Sequence, residues 1–240
     1  MVNIQKAAVI GCGFVGSTIA YTLMQKGLFS EMVLLDANKA KAEGEAMDIS
    51  HGLPFTHAMD IYAGEYEDIA DASVVIITAG ANQKPGETRL DLVQKNAAIM
   101  RSIIKEIKRV NCEGILLIVS NPVDILTEVA LRESGFPKER VIGSGTVLDT
   151  ARLKYIISEK LDVDSRNVHA FIVGEHGDSE LAAWSCANIY GIKLQDFAKM
   201  RGYEHFAQDM EEVYKGVRDS AYEIIERKGA TYYGIGMAAE

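Results

Sequence analysis

The sequence predicts an α/β fold in which a doubly wound parallel sheet is followed by a smaller lobe of mixed α+β structure. Six short apolar runs alternate with helical stretches between residues 7 and 143, a pattern that is typical of βαβ units. Beyond residue 145 this alternation ends, and two longer helical stretches flank two apolar runs. The change of pattern predicts two domains, residues 1–144 and residues 145–240.

Each predicted strand of the first domain is largely apolar, as expected of strands that are buried on both faces of a sheet. The runs cover residues 7–10, 32–35, 60–62, 74–77, 115–119 and 141–142. Helical periodicity predicts helices at residues 13–26, 37–50, 89–110 and 123–134. In the second domain we expect helices at 147–160 and about 205–227, and strands around 170–173 and 182–186.

The composition indicates an ordinary globular protein and argues against two classes of partner. The chain has 240 residues, of which 48% are hydrophobic and 25% charged, and its net charge is −9. Nucleic-acid binding requires a basic face, and the sequence contains no run of eighteen apolar residues that would span a membrane. Cys12, Cys112 and Cys186 match no metal-binding spacing and indicate reduced, buried thiols. We therefore expect a cytoplasmic protein with no metal, nucleic-acid or membrane partner.

A glycine-rich loop after the first predicted strand indicates a dinucleotide cofactor. Gly11, Gly13 and Gly16 form the pattern GxGxxG, which alone occurs in many unrelated sequences. Here it follows a strand, opens a helix and precedes Asp36, twenty residues after Gly16 at the end of the second strand. The pyrophosphate is expected at the helix N-terminus, with Asp36 binding the ribose hydroxyls and repelling a 2′-phosphate. We therefore predict a Rossmann-type domain that binds NAD, against the alternative of a glycine turn with a capping aspartate.

The segment between residues 78 and 89 has the composition of a mobile lid. Gly80 and Gly86 can act as hinges, and few of its side chains could anchor it in a core. It carries Gln83 and Arg89 towards a possible ligand. The alternative is an ordinary connection in which Arg89 begins a helix, although a cation is disfavoured at that end of the helix dipole.

Three further groups are candidates for a site, and each has a structural alternative. Asn121 follows the fifth strand, where ligands bind in open α/β sheets, but it could equally cap the next helix. Asp149 and Arg152 are three residues apart and therefore share one face of a helix. They could form a surface ion pair, or Asp149 could orient a histidine while Arg152 binds a substrate carboxylate. His176 lies in a polar turn after an apolar run, either as an acid–base group or as a solvated or core histidine.

Taken together, these motifs resemble the lactate/malate dehydrogenase family, and within it the bacterial L-lactate dehydrogenases. The resemblance runs from residue 7 to about 237 and rests jointly on the segments 11–16, 80–89, 120–124, 149–152, 174–178 and 228–231. It implies an NAD-dependent oxidoreductase that interconverts pyruvate and L-lactate.

The resemblance also implies the roles of individual residues. His176 would donate and accept the proton, Asp149 would fix its tautomer, Arg152 would bind the substrate carboxylate, and Arg89 would polarise the ketone. The substrate pocket would also include Gln83, Asn121, Asp124 and Thr231. Besides the glycine loop, Asp36 and Asn121, the residues expected to contact NAD, many through backbone atoms, are Val15, Lys41, Tyr66, Gly80, Ala81, Ser102, Val119, Ser120 and Ser144.

Gln83 favours pyruvate over oxaloacetate. Malate dehydrogenases of this family carry an arginine at the corresponding lid position, which pairs with a second substrate carboxylate. A neutral Gln83 would leave that charge unpaired, at a cost of several kcal/mol. The remaining alternatives are a malate dehydrogenase and a non-catalytic NAD-binding protein on the same fold.

The resemblance carries two expectations beyond the active site. Relatives activated by fructose 1,6-bisphosphate bind it at a subunit interface with a basic residue and a histidine, at positions that hold Lys154 and His169 here, and the family implies a homotetramer. Family members also continue well past position 240. We therefore expect an incomplete chain whose second lobe exposes apolar surface that is normally covered.

Overall fold

A parallel sheet of six strands, counted over the described residues, forms the centre of the first part of the chain. In the computed structural model the described residues are 1–81, 86 and 88–240, apart from the side chain of Arg89. The strand order is β3-β2-β1-β4-β5-β6, so the chain winds outwards in both directions from β1 and confirms the predicted doubly wound α/β fold. The strands are β1 (Asn3–Ile10), β2 (Glu31–Leu35), β3 (Asp60–Ala63), β4 (Ala72–Ile77), β5 (Ile115–Ile118) and β6 (Val141–Gly143).

Helices cover both faces of this sheet, which explains why its strands are apolar along most of their length. Successive side chains of a strand point to opposite faces. Ala8 and Ile10 pack in one core cluster, whereas Val9 packs in another with Leu34 and Ile76. The helices of this part are α1 (Phe14–Lys26), α2 (Lys39–Ser50), α3 (Arg89–Arg109) and α4 (Val123–Ser134).

The second part of the chain is built on α5 (Val147–Leu161), which packs against α7 (Phe206–Lys228). Leu153 and Ile157 of α5 and Val213 and Val217 of α7 are buried in their own core cluster. The remaining elements are the helix α6 (Leu194–Met200) and the two-residue strands β7 (Val168–His169), β8 (Ile172–Val173), β9 (Leu181–Ala182), β10 (Asn188–Ile189) and β11 (Ile192–Lys193).

Two strands expected in this second part differ in the structure. The run around residues 170–173 is divided between β7, which pairs with β10, and β8, which pairs with β9. The run at residues 182–186 leaves the strand after Ala182, because Trp184–Cys186 forms a 3₁₀ turn in which the N–H of Ala187 donates to the carbonyl of Trp184. None of the three residues of this turn is buried, and Cys186 is exposed rather than buried as expected. Apolar composition alone does not distinguish a strand from such a turn.

The last nine residues pack with the first part of the chain. The structure divides into one unit of residues 1–144 and 232–240 and a second unit of residues 145–231. The ring of Tyr232 stacks on Phe14 of α1 at 5.2 Å, and α8 (Tyr233–Ala238) brings Gly236 against Thr18. The sequence-based division, which places residues 145–240 together in a second domain, stays a prediction. Among the described residues, none of the helices combines the length and the apolar character needed to cross a membrane.

Candidate active site

The glycine loop between β1 and α1 is shaped by the close approach of backbone to backbone. A Cβ on Gly11, which has φ +103°, would lie 2.6 Å from the amide nitrogen of Ala79. A Cβ on Gly16 would lie 1.8 Å from the carbonyl oxygen of Gly11. No heavy atom lies within 4 Å of a Cβ built on Gly13, and this residue is the N-cap of α1. Two of the glycines are therefore required by packing, while Gly13 leaves the N-terminus of α1 open to a phosphate.

Asp36 is held at the edge of this loop by two hydrogen bonds. Its Oδ2 accepts from the N–H of Cys12 at 2.7 Å, and its Oδ1 accepts from the N–H of Asn38 at 2.9 Å. The N-cap of α2 is Asn38, so Asp36 is not the capping residue of that helix. The carboxylate is thus fixed beside the glycine loop, where it suits the ribose hydroxyls of NAD and disfavours a 2′-phosphate. The loop and Asp36 together fit a dinucleotide.

A cavity of about 260 Å³ lies at the carboxyl ends of the central strands. Thr78 closes it towards the glycine loop, since its Oγ1 donates to the carbonyl of Gly11 at 2.6 Å. Ser120 closes it at β5, donating to the carbonyl of Ala79 at 2.7 Å. The lining residues are Val15, Thr78, Gly80, Ala81, Leu92, Asn96, Val119, Ser120 and Asn121.

Asn96 was missed by the sequence analysis although it organises this cavity. Its side chain is buried in α3, accepts from the N–H of Ala81 at 2.8 Å and donates to the carbonyl of Asn121 at 2.9 Å. It therefore holds together two chain segments that follow neighbouring strands. The N-cap of α4 is Pro122, so Asn121 lines the cavity and does not cap the helix. The sequence shows only that Asn96 is an amide residue on the apolar side of a predicted helix.

Four other residues expected to contact NAD do not line this cavity. Lys41 is exposed on α2, Ser102 is exposed on α3, and Tyr66 is partly buried beside a core cluster. Ser144 is buried after β6, where its N–H donates to the carbonyl of Ile118 at 2.8 Å. Their contacts with NAD stay predictions.

In the second unit, the structure brings His176, Asp149 and Arg152 together. Asp149 is buried in the first turn of α5, with only 2% of its surface exposed. Its Oδ2 lies 2.6 Å from Nδ1 of His176, and its Oδ1 accepts from Nη1 of Arg152 at 2.8 Å. The Arg152 side chain is 13% exposed, so this is not the surface ion pair that was the alternative. One carboxylate therefore orients both an imidazole and a guanidinium.

The electrostatics of this cluster favour the charged imidazole. The hydrogen bond with Asp149 raises the pKa of His176, against the smaller opposing effect of burial. Burial would raise the pKa of Asp149, but its hydrogen bond with His176 and the nearby cations hold that pKa below its usual range. Because Nδ1 is engaged by Asp149, Nε2 is the nitrogen through which His176 would exchange a proton with a ligand.

The turn that carries His176 is fixed to the same helix as Asp149. Thr146 at the start of α5 donates to the carbonyl of Ile172 in β8 at 2.8 Å, and the N–H of Ile172 donates to Oγ1 of Thr150 at 2.9 Å. Gly174 and Gly177 have φ of +99° and +124°, which allows the sharp turn. This anchoring makes the geometry of the His176–Asp149 pair a property of the fold.

A second carboxyl group of the cluster, Glu180, was not singled out by the sequence analysis. It is buried, with 3% of its surface exposed, and its carboxylate lies within 4.8 Å of the Asp149 carboxylate and the His176 imidazole. Burial, followed by the charge of Asp149, raises the pKa of Glu180 to about 7. A glutamate in a polar turn is predicted to be exposed, so no pattern in the sequence indicates the burial of Glu180.

The other candidate residues either occupy further positions of the described chain or lie outside the described residues. Gln83 and the side chain of Arg89 belong to the latter group. Asp124 is exposed in the first turn of α4, and Thr231 is partly buried just before α8. Lys154 is partly buried in α5 and His169 is exposed in β7.

Comparison with known proteins gives matches along almost the whole chain. Residues 5–143 match the NAD binding domain of lactate/malate dehydrogenase, and residues 146–240 match its alpha/beta C-terminal domain. L-lactate dehydrogenase of Acetivibrio thermocellus is 56% identical over 98% of this chain and 74% of its own length. L-lactate dehydrogenase of Priestia megaterium is 56% identical over 97% of this chain and 73% of its own length.

Solved structures give the same result. MGS-M5, a lactate dehydrogenase from a Medee basin deep-sea metagenome library, is 54% identical with a TM-score of 0.95, covering 99% of this chain and 76% of that one. The minor L-lactate dehydrogenase from Enterococcus mundtii, in a ligand-bound form, is 48% identical with a TM-score of 0.94, covering 98% and 75%. The chain thus spans about three quarters of the length of these relatives, and it belongs to the lactate/malate dehydrogenase family.

Proposed function

We propose that this chain is an NAD-dependent L-lactate dehydrogenase in which His176 exchanges the proton as pyruvate and L-lactate are interconverted. The observation that carries the proposal is the buried Asp149 carboxylate, bonded at once to His176 and to Arg152. The relatives named as L-lactate dehydrogenases support the activity. The cofactor is NAD, in keeping with the NAD binding domain that the first unit matches.

The first unit supplies the residues that hold the cofactor. The N–H groups at the start of α1 bind the pyrophosphate beside Gly13, and Asp36 binds the ribose hydroxyls. Thr78, Asn96 and Ser120 keep the cavity beyond the glycine loop in shape. When bound, the reduced cofactor supplies a hydride to the carbonyl carbon of the substrate.

The second unit supplies the proton and the substrate anchor. The hydrogen bond with Asp149 raises the pKa of His176, which favours the protonated imidazole that donates its proton to the ketone oxygen. In the opposite direction the neutral imidazole takes the hydroxyl proton of lactate. A guanidinium has five N–H donors, so the bond from Arg152 to Asp149 leaves donors for two parallel bonds to the substrate carboxylate.

The remaining role assignments rest on the family resemblance. Arg89 offsets the negative charge that develops on the ketone oxygen, and Gln83 selects pyruvate because it leaves the second carboxylate of oxaloacetate unpaired. Asn121, Asp124 and Thr231 line the substrate pocket. The proposed contacts with NAD include Val15, Lys41, Tyr66, Gly80, Ala81, Ser102, Val119 and Ser144.

The finer biological assignments are also part of the proposal. A homotetramer in the cytoplasm, and activation by fructose 1,6-bisphosphate at Lys154 and His169, follow from the resemblance. We also propose a domain boundary after residue 144.

Parallel assays of NADH oxidation with pyruvate, with oxaloacetate and with no acceptor test the proposed activity. A lactate dehydrogenase consumes NADH fastest with pyruvate. Faster consumption with oxaloacetate would instead identify a malate dehydrogenase, and equal background rates in all three assays would indicate a non-catalytic NAD-binding protein.

A further inference from the structure

Glu180 is an ionisable member of the His176 cluster to which the proposed reaction gives no role. The turn that holds it is closed by its own N–H, which donates to the carbonyl of Gly177 at 3.1 Å. Tyr214 of α7 donates its hydroxyl to the carbonyl of Glu180. These bonds fix the backbone on both sides of the side chain, so its burial is built into the turn.

The charged groups around Glu180 come from three elements. The Asp149 carboxylate of α5 and the His176 imidazole of the same turn lie within 4.8 Å of its carboxylate. Arg152 of α5 bonds to Asp149, and Arg218 of α7 lies 4.9 Å from the centre of the Tyr214 ring, whose hydroxyl bonds to Glu180. Arg152 and His176 both bond to Asp149. Asp149 therefore has two cationic partners and stays ionised. When the two carboxyl groups hold a single proton between them, that proton resides on Glu180.

We propose that Glu180 is a positioning residue that donates a hydrogen bond to Asp149 when protonated and, by releasing this proton, extends the pH range over which His176 stays charged. The inference rests on the proposed function, since it concerns the acid–base group of that reaction. The proton lost by Glu180 goes to solvent, and the new negative charge stabilises the imidazolium nearby.

The pKa of Glu180 depends on its distance from Asp149, on its burial and on the sign of the nearby charges. Two buried carboxylates within 4.8 Å repel each other strongly, so one of them remains protonated well above its usual range. Burial and the charge of Asp149 raise the pKa of Glu180 to about 7, so this group ionises near neutral pH. An ionised Glu180 in turn raises the pKa of His176.

The test is Glu180→Gln, which keeps the shape and a hydrogen-bond donor but cannot ionise. The matched control is Glu226→Gln, the same change at an exposed position of α7. Initial rates of pyruvate reduction and of lactate oxidation are measured from pH 5.5 to 9.5. Near pH 6, where Glu180 is protonated, Glu180→Gln should retain the parent rate of pyruvate reduction within about twofold.

Above pH 8 the two directions should respond with opposite signs. Pyruvate reduction, which needs the charged imidazole, should fall about tenfold relative to the parent, on the scale of a charge interaction at this distance. Lactate oxidation, which needs the neutral imidazole, should reach its plateau at a lower pH than in the parent. Glu226→Gln should match the parent in both directions.

Equal losses in both directions with unchanged pH profiles would overturn the inference and leave Glu180 a purely structural residue. Superposed profiles of Glu180→Gln and the parent would overturn it as well. If Glu180→Gln does not fold, Glu180→Met removes the same charge from a buried position and should give the same displacement of both profiles.

A binding readout separates this inference from the proposed function. The imidazole signal of His176, identified by its loss in His176→Asn, is followed by NMR in the complex with NAD. The titration midpoint of this signal should lie at lower pH in Glu180→Gln than in the parent. This readout does not require that the protein reduces pyruvate. An unmoved midpoint would reject the inference, whereas absence of pyruvate reduction in the parent would reject the proposed function.

Discussion

Replacing Asp149 by asparagine removes the charge on which the proposed acid–base site depends. Its two oxygens lie 2.6 Å from Nδ1 of His176 and 2.8 Å from Nη1 of Arg152, and its side chain is only 3% exposed. A charge pair about 4 Å apart contributes about 4 kcal/mol at an effective dielectric constant of 20. Without it, burial lowers the pKa of His176, so that the neutral imidazole predominates near neutral pH.

The kinetic consequence of Asp149→Asn is a loss of the proton donor and of the tautomer that presents Nε2. We expect kcat/KM for pyruvate at pH 7.5 to fall by about 10²–10⁴, the usual contribution of general acid–base catalysis. NADH binding, measured by fluorescence titration, should change less than about threefold because the glycine loop belongs to the other unit. A variant that keeps a third of the parent kcat/KM with the same pH profile would refute the reasoning.

The same substitution should also change how stability depends on pH. Asp149 has a lowered pKa, so its stabilising contribution is present above the usual carboxyl range and is lost as the pH falls through its folded pKa. His176 has a raised pKa, so its contribution is complete below the usual histidine value and is lost as the pH rises through its folded pKa. Thermal unfolding of Asp149→Asn between pH 3 and 9 should therefore show a flatter profile than the parent, whereas parallel profiles would contradict this linkage.

Four further substitutions test the first unit and the choice of substrate. Gly16→Ala places a Cβ 1.8 Å from the carbonyl oxygen of Gly11, so the free energy of unfolding should fall by about 1–3 kcal/mol or more. The Cβ of Gly13→Ala meets no atom within 4 Å, so this variant should keep the parent Tm while binding NADH about tenfold more weakly. A matched loss of Tm in both variants would contradict this. Asp36→Ser should raise the ratio of NADPH to NADH use at least about tenfold, because it removes the charge that repels a 2′-phosphate, and an unchanged ratio would exclude that role. Gln83→Arg should shift the selectivity from pyruvate towards oxaloacetate at least about tenfold, and equal selectivity in steady-state assays would count against Gln83 as the determinant.

The parallel sheet could be predicted from the sequence because its strands are buried on both faces. Each strand is therefore an apolar run, and the turns between elements carry glycine and polar residues. Bringing Asp149 and Arg152 to one helix face required only the helical period. Pairing Asp149 with His176 depended on the family resemblance, since nothing in the spacing of two residues 27 positions apart indicates a contact.

The features that were missed depend on contacts between distant parts of the chain. The packing of α8 on α1 follows from the fit of Gly236 against Thr18, which no local pattern reveals. The burial of Glu180 and of Asn96 likewise arises from neighbours on other elements. The sequence alone does not show whether a charged or amide side chain is exposed to solvent or buried in a cluster of polar groups.

The most direct test of the account is the turnover of His176→Ala measured together with its affinity for NADH. We expect pyruvate reduction to fall to background while NADH binds as in the parent, because the proton donor is removed and the glycine loop is unchanged. Comparable turnover by the variant and the parent would contradict the claim that this imidazole supplies the proton.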